Sequence, residues 1–369
     1  MPARAANDRS PSRTGAAAGR APSLADVARL AGVSTQTVSR VSTGSTQVRP
    51  ETRAVVLEAM CAVGYAPNAA ARALRSGTFG TFGVIVHQIS RTGESRSVEA
   101  IVAAARRHGY AVTLVDVEHA GDSDVEAAVA RLQNQLIDGL IVLRHETETP
   151  VHLRVPDTLP LVVSDARFVG EHATVGADQL AGTAAAVEHL LGLGHVTVHH
   201  VGGPPTSNPA QVRRTGWVAA LEAHGRQVPP LTTGDWTPAS GYRAGTELVA
   251  RIHDGEPITA VFSANDEMAA GLLLALTRAG LSVPGDVSVI GFDNIPLSAY
   301  LQPPLTTVEQ DFAAMGEALV EMLIAQVRRR GAGRLVPGGP SGEAAPAEAT
   351  RRVVPANLIV RESTAPPRR

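Results

Sequence analysis

Lysine is missing from this sequence: every one of its 33 basic residues is an arginine. That removes the P-loop lysine, the Schiff-base lysine and every lysine general base at once. Cysteine occurs once, as Cys61, which excludes an internal disulfide framework and any cysteine-rich zinc site. Aromatics are 3% of the 369 residues, so a core must be aliphatic, drawn from the 44% that are hydrophobic. No apolar run approaches the roughly 18 residues needed to span a bilayer. Residues 1–22 lack the apolar stretch of a secretory signal, so the chain is expected to stay in the cytoplasm. The catalytic signatures G-x-S-x-G, H-E-x-x-H and C-x-x-C are absent, so the sequence does not read as an enzyme. The length corresponds to two or three domains.

The net charge of −2 conceals an asymmetry. Residues 1–75 hold ten arginines against Asp8, Asp26, Glu51 and Glu58, a net +6, and the remainder holds 23 arginines against 31 acids, a net −8. A basic end on an acidic body is the pattern of one segment that meets a polyanion and another that does not.

Residues 1–22 are small and polar without periodicity and read as a disordered arm. Ser23, with Asp26 three residues on, is a variant capping box for a first helix carrying Leu24, Val27, Ala28 and Ala31 on one face. Gly32 stops it. Ser34 caps a second helix, Thr35 to Ser42, with apolar contacts Val38 and Val41, and Thr43-Gly-Ser45 makes a turn. Pro50 opens a third helix that Gly64 ends. Short helices with a tight glycine turn between the first two form a helix-turn-helix over residues 23–67. The second helix presents Thr35, Gln36, Ser39 and Arg40 outward. Gln reads adenine and Arg reads guanine in the major groove, while a Thr methyl meets thymine. An ordinary helical hairpin with a polar face is the plainer alternative. Asn68 can cap an alanine-rich segment ending at Arg75, but two turns are marginal alone, so the segment reads as frayed until something holds it, with a flexible linker that never orders as the plainer alternative.

From residue 80 short Val/Ile/Leu runs alternate with Ala-rich helical stretches. Strands are expected at Gly83–Val86, Ala111–Val115, Gly139–Leu143, Leu161–Ser164, Val196–Val201, Ala260–Ser263 and Val287–Gly291, with a last strand at Asn357–Val360. Between them lie helices such as Val98–His108, Asp124–Leu136, Gly182–Leu193, Arg214–Ala223, Ser240–Arg251 and Glu267–Ala279. This is a doubly wound α/β pattern long enough for two parallel-sheet lobes. In parallel sheets ligands bind beyond the carboxyl ends of the strands. His87, Arg144, His145, Asp165, Gly202-Gly203-Pro204, Asn265, Asp266, Asp293 and Asn294 follow strands, and Arg213 and Trp236 lie nearby. Carboxylates, amides and a guanidinium beside an indole suit a polyhydroxylated ligand. Each Asp or Asn taken singly can equally be a helix cap or a turn. Gly192-Leu-Gly194 follows a helix and precedes a strand, the wrong order for a dinucleotide loop. His199 and His200 are neighbours in a strand and face opposite ways, so they cannot share a metal. Neither metal nor cofactor is expected.

The stretches Leu24-Ala-Asp-Val-Ala-Arg-Leu-Ala-Gly-Val-Ser-Thr-Gln-Thr-Val-Ser-Arg40, Gly64-Tyr-Ala-Pro-Asn68, Asn265-Asp-Glu-Met-Ala-Ala-Gly271, Val287-Ser-Val-Ile-Gly-Phe-Asp293 and Pro303-Pro-Leu-Thr-Thr-Val-Glu-Gln310 together resemble the lactose-repressor (LacI) family of bacterial transcriptional regulators. The resemblance runs from about Ser23 to Thr364. It implies an all-α helix-turn-helix headpiece, a hinge helix over residues 68–77 and a periplasmic-binding-protein-like core over 78–369, with lobes expected at about 80–178 with 308–330 and about 179–307 with 351–364. By the same resemblance Thr35, Gln36 and Arg40 are major-groove readers. Asn68, Ala71 and Leu74 lie in the hinge, with Ala71 and Leu74 at minor-groove positions and Leu74 as the wedge that bends the duplex. Asp165, Arg213, Asn265 and Asp293 match effector contacts, with Trp236 and Gln310 as further pocket positions of sugar-responsive members. His87, Arg96 and Leu143 fall where those members often carry small or polar groups, and His87 is kept as an effector contact. Arg49 stands where a Ser cap is common. Residues 331–350 are expected to form a loose loop, no leucine heptad follows to support a tetramerising coiled coil, and the resemblance implies the family default, a homodimer on near-palindromic operator DNA. The expected function is that of a sugar-controlled repressor on the nucleoid. The alternatives are a purine-responsive regulator of the same family, a solute-binding protein, and a carbohydrate-active enzyme pairing Asp165 with Asp293.

Overall fold

The structure, a computed structural model, describes residues 22–42, 45, 47–66, 78–117, 122–143, 155–156, 158–164, 172–333 and 351–368. The chain divides into two units, Met1–Ser76 and Gly77–Arg369.

The first unit is built from α1 (Leu24–Ala31), α2 (Thr35–Ser42) and α3 (Pro50–Val63). The Asp26 carboxylate accepts from the Ser23 backbone N–H at 2.9 Å and from its hydroxyl at 2.6 Å, fixing the entry to α1. Gly32 and Gly64 end α1 and α3 in the left-handed conformation, at φ 65° and 66°, where a Cβ is disfavoured. Ser34 Oγ accepts from Thr37 N at 3.1 Å and starts α2. Arg49 gives α3 no side-chain cap, and Pro50 supplies the pre-set first residue instead. Val27, Val38, Val41, Val56 and Met60 pack into one aliphatic core. The turn expected at Thr43–Ser45 lies largely outside the described residues, as does the whole of residues 67–77.

The second unit contains two six-stranded sheets among the described residues. The first lobe holds β1 (Thr81–His87), α4 (Thr92–Arg107), β2 (Ala111–Val117), α5 (Asp122–Gln133), β3 (Gly139–Leu143), β4 (Leu161–Ser164) and β5 (Ala173–Ala177). The second holds α6 (Gln179–Gly192), β6 (His199–Gly202), α7 (Asn208–Ala223), β7 (Thr232–Thr233), α8 (Pro238–His253), β8 (Ala260–Ser263), α9 (Asp266–Arg278), β9 (Ser288–Asp293), a 3-10 turn (Pro296–Tyr300) and β10 (Thr306–Gln310). The chain then returns as α10 (Phe312–Gly333), β11 (Arg351–Val354) and β12 (Ala356–Ile359). Strand orders are β11-β5-β4-β3-β1-β2 and β12-β10-β9-β8-β6-β7, parallel except for the antiparallel pairing of β12 on β10.

Helices cover both faces of each sheet, as parallel strands buried on both sides require. Ile101 and Ala105 of α4 and Leu319 and Leu323 of α10 pack on one face of the first sheet, and Val125 and Leu132 of α5 on the other. In the second lobe Val187 and Trp217 lie on one face, and Leu248, Met268 and Leu272 on the other.

The chain passes between lobes at Asp178, Asp311 and Pro355. This corrects the expected lobe boundaries at two places. Residues 308–310 stay in the second lobe, because β10 pairs with β9. Residues 351–354 belong to the first, because Arg351–Val354 pair with Thr174–Ala177. Backbone pairing decides these placements, and neither segment carries a strong apolar pattern. The small-residue strand β5 and the polar strand β10 were not expected as strands for the same reason.

Candidate functional site

Between the two lobes lies a cavity of about 260 Å³, lined by strand-end residues of both sheets. Its second-lobe wall is organised around Arg213, which α7 carries inward and which is 3% exposed. Arg213 Nε donates to Gln179 Oε1 at 2.7 Å, Nη1 to the Ala264 carbonyl, and Nη2 reaches Asp293 Oδ1 at 3.3 Å. Its guanidinium sits 3.8 Å over the Phe292 ring and 5.5 Å from the Trp236 ring. Gln310 Nε2 donates to the same Asp293 oxygen at 2.6 Å. Burial pushes the Asp293 carboxyl above the usual carboxylate range, and Arg213 and Gln310 oppose that shift. Burial likewise lowers Arg213 from its ordinary value, against the attraction of Asp293 and Asp266. Each of the two charges is therefore maintained by the other.

Asp293 closes β9 with φ 108°, Asn294 follows at φ 48°, and Trp236 has φ 75°. Non-glycine residues held in that region persist only where surrounding contacts over-determine them, and such residues cluster at binding sites. Trp236 shows how. Its carbonyl accepts from Asn265 Nδ2 at 3.0 Å, and its ring lies where a side chain on Gly203 would stand. Gly203, directly after β6, is thus the seat of the indole. Asn265 also caps α9, its Oδ1 accepting from Met268 N at 2.9 Å, and the same residue lines the cavity.

The structure brings Arg213, Trp236, Asn265, Asp293 and Gln310 to one cavity wall. His87 is not part of that wall: it is buried at the end of β1. Arg96 lies 5.6 Å over the Phe312 ring and Leu143 is a core residue, and neither lines the cavity. Asp165 lies outside the described residues. The opposite wall was not anticipated. It includes Arg91, Thr92, Glu94 and Ser97 around the start of α4, with Phe312 and Met315 from α10. Thr92 Oγ1 donates to Glu267 Oε1, joining the lobes across the cleft. Glu267 stands in the Asn265-Asp-Glu block and could have been read from it. Arg91 and Glu94 lie beyond the residue that directly follows β1, where the strand-end rule stops.

In the first unit Thr35, Gln36 and Arg40 are exposed along α2 and Ser39 is half-buried, while Val38 and Val41 point into the core. Asn68, Ala71 and Leu74 lie outside the described residues. His200 stacks on Phe262, 4.8 Å between ring centroids, whereas His199 Nε2 lies 3.9 Å from Glu256, so the two rings face apart. Among the described residues no group of three or more His, Cys, Asp or Glu side chains could hold a metal, and no helix is long and apolar enough to cross a membrane.

A helix-turn-helix unit followed in sequence by two doubly wound lobes around a cleft defines a ligand-responsive DNA-binding regulator. Residues 23–68 match the family described as bacterial regulatory proteins, lacI family, and residues 187–364 match the periplasmic binding protein-like domain. The chain is 34% identical over 311 residues to the ribose operon repressor of Escherichia coli (strain K12), covering 82% of this chain and 92% of that one. It is 35% identical over 308 residues to the lactose operon repressor of the same organism, covering 82% and 83%. The crystal structure of the lac repressor dimer bound to operator and the anti-inducer ONPF superposes with a TM-score of 0.79 at 30% identity, covering 94% of this chain and all of that one. The chain belongs to the lacI family of bacterial regulatory proteins, and it is a DNA-binding transcriptional regulator with an effector-binding core.

Proposed function

We propose that this protein is a homodimeric, sugar-controlled repressor acting in the cytoplasm on near-palindromic operators, and that it catalyses no reaction. The observation that carries the effector reading is the buried Arg213–Asp293–Gln310 network beside Trp236. Only one Asp293 oxygen is used by that network, so the other can accept from a sugar hydroxyl. The indole offers a face for the ring. Asp165 completes the effector contacts in this reading. The ligand acts by preferring one arrangement of the lobes, and moving a 1:99 balance to 99:1 takes about 5.5 kcal/mol of differential binding.

Thr35, Gln36, Ser39 and Arg40 read the major groove of each half-site, because a two-fold dimer imposes a two-fold operator. Asn68, Ala71 and Leu74 meet the minor groove, with Leu74 inserted between base pairs. The dimer forms through the core unit, where Val102 of α4, Leu114 of the edge strand β2, and Leu297 and Tyr300 of the 3-10 turn are exposed.

A thermal-shift screen of sugars and purines tests the effector, since a ligand bound by the folded state raises the melting point. A shift by a sugar supports the reading, and a shift by purines alone contradicts it. Arg213→Ala is expected to abolish the ligand response while sparing operator binding; normal release of that variant by the ligand would contradict the assignment. Leu74→Ala is expected to weaken specific operator binding with headpiece folding intact, and an unchanged operator titration would refute its wedge role.

A further inference from the structure

Asp266 is fully buried at the first turn of α9 and does not line the cavity. Three donors converge on its carboxylate. Ser298 Oγ reaches Oδ2 at 2.5 Å and Ile295 N reaches the same oxygen at 3.0 Å, while Thr307 Oγ1 reaches Oδ1 at 2.6 Å. A carboxylate is a pure acceptor with room for all three. The donors come from the residues just after β9 and from β10, so one side chain ties α9 to the segment that leaves the pocket. Space for it is made by Gly291, where a Cβ would overlap Asp266 Oδ1.

The segment it ties down begins at the two positive-φ residues Asp293 and Asn294. Asn294 is held from the other side, Nδ2 donating to Glu309 Oε1 at 2.9 Å and Oδ1 accepting from Arg361 Nη2 at 2.7 Å. Those bonds fix Asn294 itself. The continuation of the chain through Ile295 is fixed by Asp266. A strained corner relaxes unless both of its exits are anchored.

We propose that Asp266 is the positioning residue of the effector site: its carboxylate pins the corner from Asp293 to Ser298 and thereby holds the Asp293 carboxylate against Arg213 and Gln310. This rests on Asp293 being an effector contact. It adds that the pocket geometry is set from a residue that touches no ligand.

The test needs no ligand. In the 15N-labelled full chain, the Gln310 side-chain amide reports on Asp293, to which it is bonded. The Trp217 indole N–H, bonded to the Val198 carbonyl at 2.8 Å, is a control in the same lobe. Asp266→Asn is expected to shift the Gln310 amide and speed its exchange with water about tenfold or more, with the Trp217 signal unmoved. An unchanged Gln310 amide would overturn the proposal, and so would equal acceleration of both signals, which marks a general loss of stability. If Asp266→Asn fails to fold, Ser298→Ala removes one donor and is read the same way: selective acceleration of Gln310 supports the proposal, and unchanged or uniform exchange overturns it. A failed sugar screen bears on the effector alone, so the two failures are separable.

Discussion

At the scale of single residues, burial has the largest consequences where it meets charge. Asp266 is raised from 3.8 to about 7, with burial the main cause, Ser298 and Thr307 opposing and Asp293 adding to it. Its unfolded-state proton is lost first, so stability falls as pH rises from about 4 to about 7 and levels off above. Asp266→Asn removes that slope. The stability of the variant relative to the parent is expected to rise by a few kcal/mol between pH 5 and 8, measured by urea unfolding at each pH. A constant difference would show that this carboxyl does not titrate in that range. His200 behaves in the opposite sense. Burial lowers it to about 4, so the folded state refuses a proton that the unfolded state accepts, and its contribution is lost as pH falls from 6.5 toward 4. The strand-end rule points to Asn265 and Asp293, with Arg213 and Trp236 nearby, and Gln310 comes from the family resemblance alone; all five line the cavity. His87 does not line the cavity, because the residue that directly follows a short apolar run can still be inside the strand, as it is in β1.

At the scale of elements, the sequence was legible where hydrophobic periodicity was strong. The headpiece helices, their caps and the buried strands β3, β4 and β8 were anticipated to within a residue or two. The signal failed for β5, β10 and β11, whose sequences are small, threonine-rich and arginine-bearing. Their partners across the sheet hold them, and no local pattern encodes that. Helix contacts were equally invisible. α8 and α9 approach so closely that a Cβ on Gly271 would overlap the Pro238 carbonyl and crowd Tyr242 N, and one on Gly241 would overlap the Met268 carbonyl. Gly271→Ala is expected to push the helices apart and cost about 1–3 kcal/mol, or more, because backbone cannot yield as a side-chain tip can. Chemical denaturation measures this, and a neutral result would mean that the two helices separate freely. The same change on an exposed face of α9 would be stabilising, because alanine favours helix over glycine.

At the scale of the whole molecule, charge asymmetry and the order of elements were enough to indicate a DNA-binding end and a ligand-binding body. The lobe crossings at Asp311 and Pro355 were not, since they depend on which sheet edge receives a short strand. With arginine as its only basic side chain apart from histidine, the headpiece neutralises phosphates through guanidinium groups, and operator affinity is expected to fall steeply with salt. About six to ten phosphate contacts would cost some 10³–10⁵ in affinity between 50 and 200 mM salt. A flat salt dependence in an anisotropy titration would contradict a phosphate-gripping headpiece. The most direct measurement of the central claim selects genomic fragments with the purified full chain and compares the best of them with random duplex by fluorescence anisotropy at moderate ionic strength, with and without sugars. The account predicts a preference of about 10³-fold or more for a near-palindromic site, altered by a sugar that also raises the melting point. Equal affinity for every duplex, untouched by any sugar, would contradict it.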